Sequence, residues 1–410
     1  MIDPCANPEL MPFSDAKQQL LASVKPIKKT QMLAINDALG RVLAIDVQST
    51  LAVPGHDNSA MDGYAFYLDK QPSCTSLKVV GKSFAGNPYK GEVNLGECVR
   101  IMTGGIIPDG CNTVVMQENV TAREDHIVIN HWPQAKANVR YAGEDIALGA
   151  TIFKCGHQLT AVDIGMLASL GITHVDVYKK VSVAIMATGD ELKSPGERLT
   201  AGDIYESNRF ALHALLSKMN VDIIDLGIIG DDEQALAEAF LLANQQADIV
   251  ISSGGVSVGE ADYTKQVLES LGEITFWKIA MKPGKPFAFG RLSESLFCGL
   301  PGNPVSSVVT FYQLVVPAIE KMQGKHPTER PRFLASCQGP LKKRPGRMDF
   351  QRGILSYPNG QPIVSSTGGQ GSGILSSFDQ ANCFIILARE QGAVADQEQV
   401  WVEPFDYLLS

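Results

Sequence analysis

Between residues 181 and 325, short apolar runs alternate with helical patterns, and this alternation limits the possible folds more than any other feature of the chain. The runs VSVAIMA, VDIIDLG, ADIVISS, ITFWKIA and SLFCG are predicted to be strands. The helical patterns lie near 207–219, 232–246, 262–271 and 304–322. Strands that are apolar on both faces are typical of a parallel sheet covered by helices on each side. We therefore predict a central parallel α/β sheet domain over residues 181–327.

The sequence on either side of this domain has a different pattern of helix and strand signals. Two helices are predicted between about 14 and 40, the second ended by Gly40, and another at about 160–170, where Thr160 and Asp163 have capping-box spacing. The remaining segments are short β-prone runs broken by Gly, Pro and Asn. The prediction is a multidomain α/β plus β protein. It has a helical linker domain (1–47 and 148–180), an inserted β domain (48–147), the α/β domain, and a C-terminal small β-barrel or sandwich (328–410).

Composition excludes several classes of protein. The net charge of −9 argues against a nonspecific nucleic-acid binder, which needs a basic face. The eight cysteines form no CxxC pair, which argues against a zinc site or a disulfide framework and favours a reducing compartment. No run reaches the roughly 20 apolar residues needed to cross a bilayer, and the N-terminus lacks an apolar core of signal-peptide length. We therefore expect a soluble cytoplasmic protein with neither nucleic acid nor membrane as a partner.

Unusual loops follow the strands of the α/β domain, where open sheets bind their ligands. ATGDEL, with Thr188, follows the first strand, and GLPGNPVSS follows the fifth. SSGGVSVGE follows the third, and Ser252, Gly254 and Gly255 in it allow backbone N–H groups to converge on an oxyanion. A plain turn is the alternative, but three Gly and three Ser within nine residues favour an anion site. The fingerprint GxGxxG is absent, which disfavours a dinucleotide redox site.

Lysines are concentrated in the loop KIAMKPGKP, where Lys278, Lys282 and Lys285 lie within eight residues. A solvated face is the alternative explanation, but prolines on both sides of a Gly-Lys pair make the loop stiff. Anion binding is therefore favoured for this loop.

Carboxylates recur at the same rim, at Glu191, Asp231 and Asp262. Asp231 and Asp262 precede helical patterns and could each be simple helix N-caps. Together with the lysines and glycines, however, they are typical of a Mg²⁺-assisted phosphoryl site, because Mg²⁺ takes a few carboxylates plus substrate oxygens. In the inserted domain, DNSAMDGYA contains Asp62 and RYAGEDIALG contains Asp145, and each alone reads as a polar turn.

Taken in order, these segments resemble the molybdopterin molybdenumtransferase family, called MoeA in bacteria. The matching segments span about residues 53–353 and are PGHDNSAMDGYA, RIMTGGIIPDG, NTVVMQE, AGEDI, ATGDEL, SSGGVSVGEADY, KPGKP, GLPGNPVSS and GRMDFQRG. The α/β domain alone is also similar to molybdopterin adenylyltransferases. The resemblance implies four domains and a homodimer whose active site is shared between subunits. It also implies insertion of molybdate into adenylylated molybdopterin with release of AMP, and Mg²⁺ as the divalent cation that the reaction requires.

The family's functional residues can be placed on this chain by motif position. They fall on Asp62, Thr103, Asp145, Glu191, Asp231, Asp262, Lys278, Lys282 and Pro301. The chain departs from the usual pattern at Gly105 and at the pair Cys111-Asn112, which puts the shape of the loop after Thr103 in doubt.

These implications define a mechanistic hypothesis. Asp62, Glu191, Asp231 and Asp262 are the expected catalytic residues, and the last three are the expected metal ligands. Thr188 and the glycine loop with Lys278, Lys282 and Lys285 bind the adenylate, while Arg347, Arg352 and Ser372 hold molybdate. The alternatives are a molybdopterin adenylyltransferase and a noncatalytic scaffold of the same architecture. Other molybdenum cofactor biosynthesis proteins are further expected partners.

Overall fold

The computed structural model describes residues 10–70, 75–255, 263–326 and 328–410. Its α-helices are α1 (Phe13–Ser23), α2 (Ala161–Ser169), α3 (Asn208–Ser217), α4 (Glu233–Gln246), α5 (Tyr263–Leu271), α6 (Pro304–Thr310) and α7 (Val316–Met322). Its strands are β1 (Thr30–Ala34), β2 (Val47–Gln48), β3 (Asn58–Ser59), β4 (Gly63–Phe66), β5 (Ser76–Ser83), β6 (Glu97–Ile101), β7 (Thr113–Met116), β8 (Val120–Ala122), β9 (His126–Ile129), β10 (Val139–Arg140), β11 (Thr151–Phe153), β12 (His174–Tyr178), β13 (Ser182–Thr188), β14 (Leu192–Lys193), β15 (Ile204–Tyr205), β16 (Asp222–Ile229), β17 (Ile249–Ser253), β18 (Gly272–Lys278), β19 (Met281–Lys282), β20 (Pro286–Leu292), β21 (Leu296–Leu300), β22 (Phe333–Gln338), β23 (Met348–Ser356), β24 (Ile363–Ser366), β25 (Cys383–Leu387) and β26 (Gln399–Pro404).

The central sheet has the strand order β16-β13-β17-β21-β20-β18. The first four strands are parallel, as predicted, whereas β20 is antiparallel to both of its neighbours. The sheet is therefore mixed, because β20, which sequence reasoning did not identify, adds to the predicted strands in the antiparallel direction. Short connections on both sides of β20 leave no room for the crossover that parallel pairing requires. Because β20 is antiparallel to both β21 and β18, β18 runs in the same direction as β21. The lysine loop after β18 therefore still begins at the carboxyl edge of the sheet.

Helices cover both faces of this sheet. Ile249 and Ile251 of β17 pack into one core with Leu212 of α3, Val309 of α6 and Ile319 of α7. Val250, between them, packs into the opposite core with α4 and α5. This alternation matches the period of two along a strand. The prediction of a sheet buried on both sides is confirmed.

Local helical propensity was misleading in the first 40 residues. The helix predicted to end at Gly40 is instead β1, which pairs antiparallel with β12. A partner distant in sequence overrides a local preference of this kind, since strand formation depends on pairing. Gly40 does adopt the left-handed conformation, at φ +72°. At α2, Thr160 and Asp163 form the predicted capping box.

The inserted segment is all-β, as predicted. Its six-stranded sheet has the order β7-β4-β6-β5-β9-β8. Pairing of β2 with β11 and a bridge between Val53 and Ile146 close the base of the insertion. The chain therefore leaves and re-enters the linker through adjacent antiparallel segments.

The C-terminal strands form a closed barrel, which decides between the two predicted architectures. The order β23-β24-β22-β26-β25 closes through pairing of β23 with β25. β19, from the lysine loop of the α/β domain, adds to β23. The buried Glu403 accepts hydrogen bonds from Gln313 (2.7 Å) and Arg332 (2.7 Å), which ties the barrel to the π-helical turn between α6 and α7. Among the described residues, no helix has the length and apolar character needed to span a bilayer.

Candidate functional site

Three carboxylates meet where β13 and β16 end. Asp190 and Glu191 follow β13, and Asp231 follows β16. The Asp190 Oδ1 accepts a hydrogen bond from the backbone N–H of Asp231 at 2.9 Å. Partial burial raises the pKa of Asp231, and the negative charges of Asp190 and Glu191 raise it further. The edge of the sheet therefore has an excess of negative charge that a cation or proton would relieve.

The capping alternative for Asp231 can be tested directly. The N-cap of α4 is the next residue, Asp232, whose side chain accepts the Ala235 N–H at 2.9 Å. The carboxylate of Asp231 is therefore not used in capping this helix.

The glycine loop begins against the end of β13. Gly254 has φ +93°, and a Cβ there would lie 2.6 Å from the Thr188 carbonyl oxygen. Gly255 has φ +63°, and its Cβ would lie 2.6 Å from Thr264 Oγ1. Both positions therefore require glycine, for conformation and for space. Residues 256–262 are outside the described residues, so the roles predicted for Asp262 and the end of this loop stay predictions.

Buried polar atoms collect beneath this loop. Thr188 Oγ1 and Ser252 Oγ are buried without a hydrogen-bond partner among the described residues. Such atoms are uncommon in folded proteins, because each one costs the free energy of an unmade hydrogen bond. Their position under the glycine loop is consistent with a ligand that supplies the missing partners.

Asn208, the first residue of α3, joins two of these loops and was missed by sequence reasoning. Its Nδ2 donates to Ser253 Oγ at 2.7 Å and to the Gly302 carbonyl at 2.7 Å. Its Oδ1 is buried and lacks a partner within the described part of the chain. An Asn at a helix start normally indicates only a cap, so no local signal distinguished this role.

The described carboxylates were tested as a metal site. Among the described residues, no group of three or more His, Cys, Asp or Glu side chains is arranged to hold a metal ion. Mg²⁺ normally keeps a few carboxylates and completes its shell with water and substrate oxygens. Asp190, Glu191 and Asp231 therefore form no self-contained metal centre among the described residues.

A loop of the barrel reaches the same edge of the sheet. The carbonyl of Ser372 accepts the Val305 N–H of α6 at 3.0 Å. Asn303 holds the N-cap position of α6 without a side-chain cap bond. The buried guanidinium of Arg352 donates to Ser377 Oγ (2.9 Å) and to the Gly371 carbonyl (3.2 Å). Arg352 thus shapes the loop that carries Ser372 to the α/β domain. Pro301 is buried in the loop that follows β21.

The three lysines of the stiff loop take different positions. Lys278 is exposed at the end of β18, and the Lys285 carbonyl accepts the Ile279 N–H. Lys282 pairs with Asp349 of the barrel at 3.3 Å. It faces a cavity of about 310 Å³, which Arg347 also lines. The sequence predicted Lys282 and Arg347 separately, and in the structure both line this cavity.

A second group of predicted residues lies in the inserted domain. Thr103 donates to Asp62 Oδ1 twice, from its backbone N–H (2.7 Å) and from its Oγ1 (2.8 Å). The backbone hydrogen bond, followed by the side-chain one, lowers the pKa of Asp62. Asp57 Oδ1 accepts the Ala142 N–H at 2.8 Å, which holds the segment carrying Asp145 against residue 57. The inserted domain therefore joins segments that are distant in sequence, Asp62 to Thr103 and Asp57 to Ala142.

Comparison with known proteins identifies the family. The description "MoeA N-terminal region (domain I and II)" matches residues 11–171, "Probable molybdopterin binding domain" matches 184–321, and "MoeA C-terminal region (domain IV)" matches 335–405. A molybdopterin molybdenumtransferase of Haemophilus influenzae is 48% identical over 98% of this chain and 100% of its own length. The chain belongs to the molybdopterin molybdenumtransferase family. Family members are transferases of molybdenum cofactor biosynthesis, and the chain has this function.

Two further relatives agree with this assignment. A molybdopterin molybdenumtransferase of Nostoc is 36% identical over 91% of this chain and 88% of its own length. The crystal structure of a molybdopterin biosynthesis moeA protein from Pyrococcus horikoshii superposes with a TM-score of 0.85 at 30% identity, covering 97% of this chain and all of that one. The fold is therefore that of the family from end to end, and not only in the α/β domain that adenylyltransferases are expected to share.

Proposed function

We propose that the chain inserts molybdate into adenylylated molybdopterin and releases AMP. The observation that carries the proposal is the convergence of four loops, from β13, β16, β17 and β21, at one edge of the central sheet. That edge combines a glycine-rich anion loop with carboxylates and with buried polar atoms that lack partners. This is the composition expected of a site for a phosphoanhydride.

The adenylate pyrophosphate is placed at the glycine loop. Backbone N–H groups near Gly254 and Gly255, with Ser252 and Thr188 beneath them, offer donors to its oxygens. Lys278 and Lys285 supply positive charge from the neighbouring strand end, and Lys282 extends this charge toward the barrel. Positioning and charge neutralisation are the catalytic terms that such a site provides.

Mg²⁺ is proposed to bind at Glu191, Asp231 and Asp262. When bound, it neutralises charge on the phosphate oxygens. The grouping of carboxylates supports this assignment, because desolvation and the negative charges of Asp190 and Glu191 raise the pKa of Asp231, and a cation there would offset that charge. Glu191, Asp231 and Asp262 would hold this cation at the ends of the strands, beside the glycine loop.

Molybdate, the substrate oxyanion, is assigned to the interface between the sheet edge and the barrel. The loop shaped by Arg352 places Ser372 at the start of α6, next to the glycine loop through Asn208 and Gly302. Arg347 lies beyond it, in the cavity with Lys282. Arg352 and Ser372 are thus assigned to the loop that meets the start of α6, and Arg347 to the seam between the α/β domain and the barrel.

The active enzyme is proposed to be a cytoplasmic homodimer with shared sites. Asp62, Thr103 and Asp145 lie in the inserted domain, whereas the glycine and lysine loops belong to the α/β domain. A second subunit that brings its inserted domain to the sheet edge would complete the site with Asp62. Other proteins of the same biosynthesis are expected to deliver the substrate.

The test is AMP release by the purified protein supplied with adenylylated molybdopterin and molybdate. Glu191→Gln keeps the shape of the side chain and removes its charge, so AMP release should fall at least about 100-fold. Glu238→Gln, on the exposed face of α4, is the matched control and should keep full activity. Undiminished AMP release by Glu191→Gln would contradict the assigned role. Formation of the adenylate from ATP and molybdopterin by the wild type would favour the adenylyltransferase alternative.

A further inference from the structure

Lysines gather where the linker domain meets the α/β domain, at the edge of the central sheet opposite the glycine loop. The pair Lys179-Lys180 lies between β12 and the start of β13, whereas the glycine loop lies at the carboxyl ends of the strands. The pair Lys28-Lys29 directly precedes β1, which is antiparallel to β12. All four side chains are exposed. They form a basic surface that lies outside the candidate active site.

The two lysine pairs lie side by side on neighbouring chain segments. The N–H of Lys179 donates to the Lys29 carbonyl at 2.9 Å, which extends the pairing of β1 with β12 by one position. Like charges opposite each other on neighbouring strands destabilise a sheet. Asp222 relieves little of this repulsion, because its Oδ1 lies 3.8 Å from Lys180 Nζ in a long, exposed ion pair. The arrangement costs stability, and a local cost of this kind is typical of a functional surface.

A small depression adds a fifth cation to this surface. Arg41 lines the depression together with Lys179 and Lys180, and its buried guanidinium donates to the Tyr178 carbonyl at 2.7 Å. The volume of the depression is about 10 Å³, which is room for about one water molecule. This is too small for a metabolite. The surface is therefore suited to a ligand that lies across it and not to one that is enclosed.

Two side chains at the depression favour a polypeptide over a nucleic acid as this ligand. The Oε1 of Gln323 is buried and lacks a hydrogen-bond partner among the described residues. A peptide N–H can donate to such an oxygen, whereas a phosphodiester backbone offers acceptors only. The ring of Tyr178 lies against Gly324, where a Cβ would be 2.5 Å from it, and its hydroxyl is 3.5 Å from the Cys155 thiol. This ring is therefore not free to stack on a base, as binding of single-stranded nucleic acid would require.

We propose that this basic seam, formed by Lys28, Lys29, Arg41, Lys179 and Lys180, is a docking surface for an acidic segment of another protein. Its exposed lysines steer an acidic partner to this face, whereas the net charge of −9 opposes approach from elsewhere. The seam lies at the amino edge of the sheet, so a docked partner leaves the carboxyl edge open. The inference goes beyond the proposed function, since none of these residues takes part in that reaction.

The test is binding of fluorescein-labelled probes to the full chain, measured by fluorescence anisotropy at neutral pH. The probes are a peptide of alternating Glu and Ser, a peptide of alternating Lys and Ser, and a single-stranded oligonucleotide, all of the same length. The Glu-Ser peptide should bind, and its affinity should fall as salt is raised. Lys29→Gln/Lys179→Gln should lower this affinity about tenfold. The unfolding temperature of this variant should equal or exceed that of the wild type, because a repulsion between like charges is removed.

The matched control is Lys82→Gln/Lys90→Gln, which removes two exposed lysines of the inserted domain. Both double variants change the net charge from −9 to −11, because each loses two positive charges. Equal loss of affinity in the two variants would overturn the proposal, as would binding of the Lys-Ser peptide or of the oligonucleotide more tightly than the Glu-Ser peptide. A change of oligomeric state in the seam variant, measured by sedimentation, would assign the surface to a second copy of the chain and would also overturn it. If the wild type binds the Glu-Ser peptide but releases no AMP, the proposed function fails and the docking surface stands.

Discussion

Two carboxylates of this chain, Asp62 and Asp231, are surrounded in opposite ways. In the inserted domain, Asp62 is half-buried and receives two hydrogen bonds from Thr103, which lower its pKa. At the sheet edge, desolvation and the nearby negative charges of Asp190 and Glu191 raise the pKa of Asp231. Asp62 is thus prepared in its charged form, whereas Asp231 belongs to a group of carboxylates whose negative charges repel one another. The same residue type is thus set to different tasks by its neighbours.

The largest effect expected from this difference is at Asp231. Asp231→Asn should reduce AMP release at least about 100-fold, because the charge that holds the cation and phosphate is lost. Its stability should be equal to or above that of the wild type at pH 7. A raised folded-state pKa means that ionised Asp231 opposes folding above that pKa, and this cost disappears as pH falls and the group is protonated.

Thermal unfolding of Asp231→Asn and wild type between pH 4 and pH 8 measures this. The gap between the two should be widest at neutral pH and close toward pH 4. A variant that is inactive and also less stable at pH 7 would show that Asp231 supports the fold, and would remove the contrast with Asp62.

An intermediate effect is expected at Asn208, which joins the loops beside Asp231. Asn208→Ala removes two buried hydrogen bonds between the glycine loop and the loop before α6, so KM for the adenylate should rise about tenfold while kcat changes less. Ser253→Ala removes only one of these bonds and keeps Oδ1, and it should raise KM less. If the two variants have the same unfolding temperature and the same KM, the Oδ1 of Asn208 has no role in binding.

The smallest effect is expected at Thr103. Thr103→Val removes the Oγ1 donor to Asp62 and keeps the backbone one, so the pKa of Asp62 should rise. A lowered pKa keeps Asp62 charged until the pH falls through that pKa, so the acid limb of the pH–rate profile should move to higher pH. Activity at pH 7 should change by no more than about threefold. An unmoved acid limb would show that Asp62 ionisation does not limit the reaction.

Much of the fold was predictable, and the exceptions share one cause. The strands β13, β16, β17 and β21 were found from apolar runs, and the α2 capping box from spacing, because both signals are local. β1 and β20 were missed. Each of these segments is a strand because it pairs with a neighbouring strand. Its own residues show no complete strand pattern.

The residues of the candidate site also divide into those that local patterns predicted and those that they did not. Gly254, Asp231 and Lys282 were predicted because loops after parallel strands meet at one edge of a sheet. Lys342 and Arg344 were not, since nothing in the barrel sequence indicates that they would line a cavity with Lys282. Asn208 was missed for a similar reason, because its two partners lie on loops 45 and 94 residues away.

By itself, the sequence determined five of the six strands of the central sheet and the loops that carry glycines, lysines and carboxylates. These depend on periodicity and turn chemistry, which act over a few residues. Only the tertiary structure decided that Lys282 faces the barrel, that Asn208 joins Ser253 to Gly302, and that Thr103 holds Asp62 in its charged form. Those outcomes depend on which side chains meet across long stretches of chain, and no local pattern encodes such a meeting.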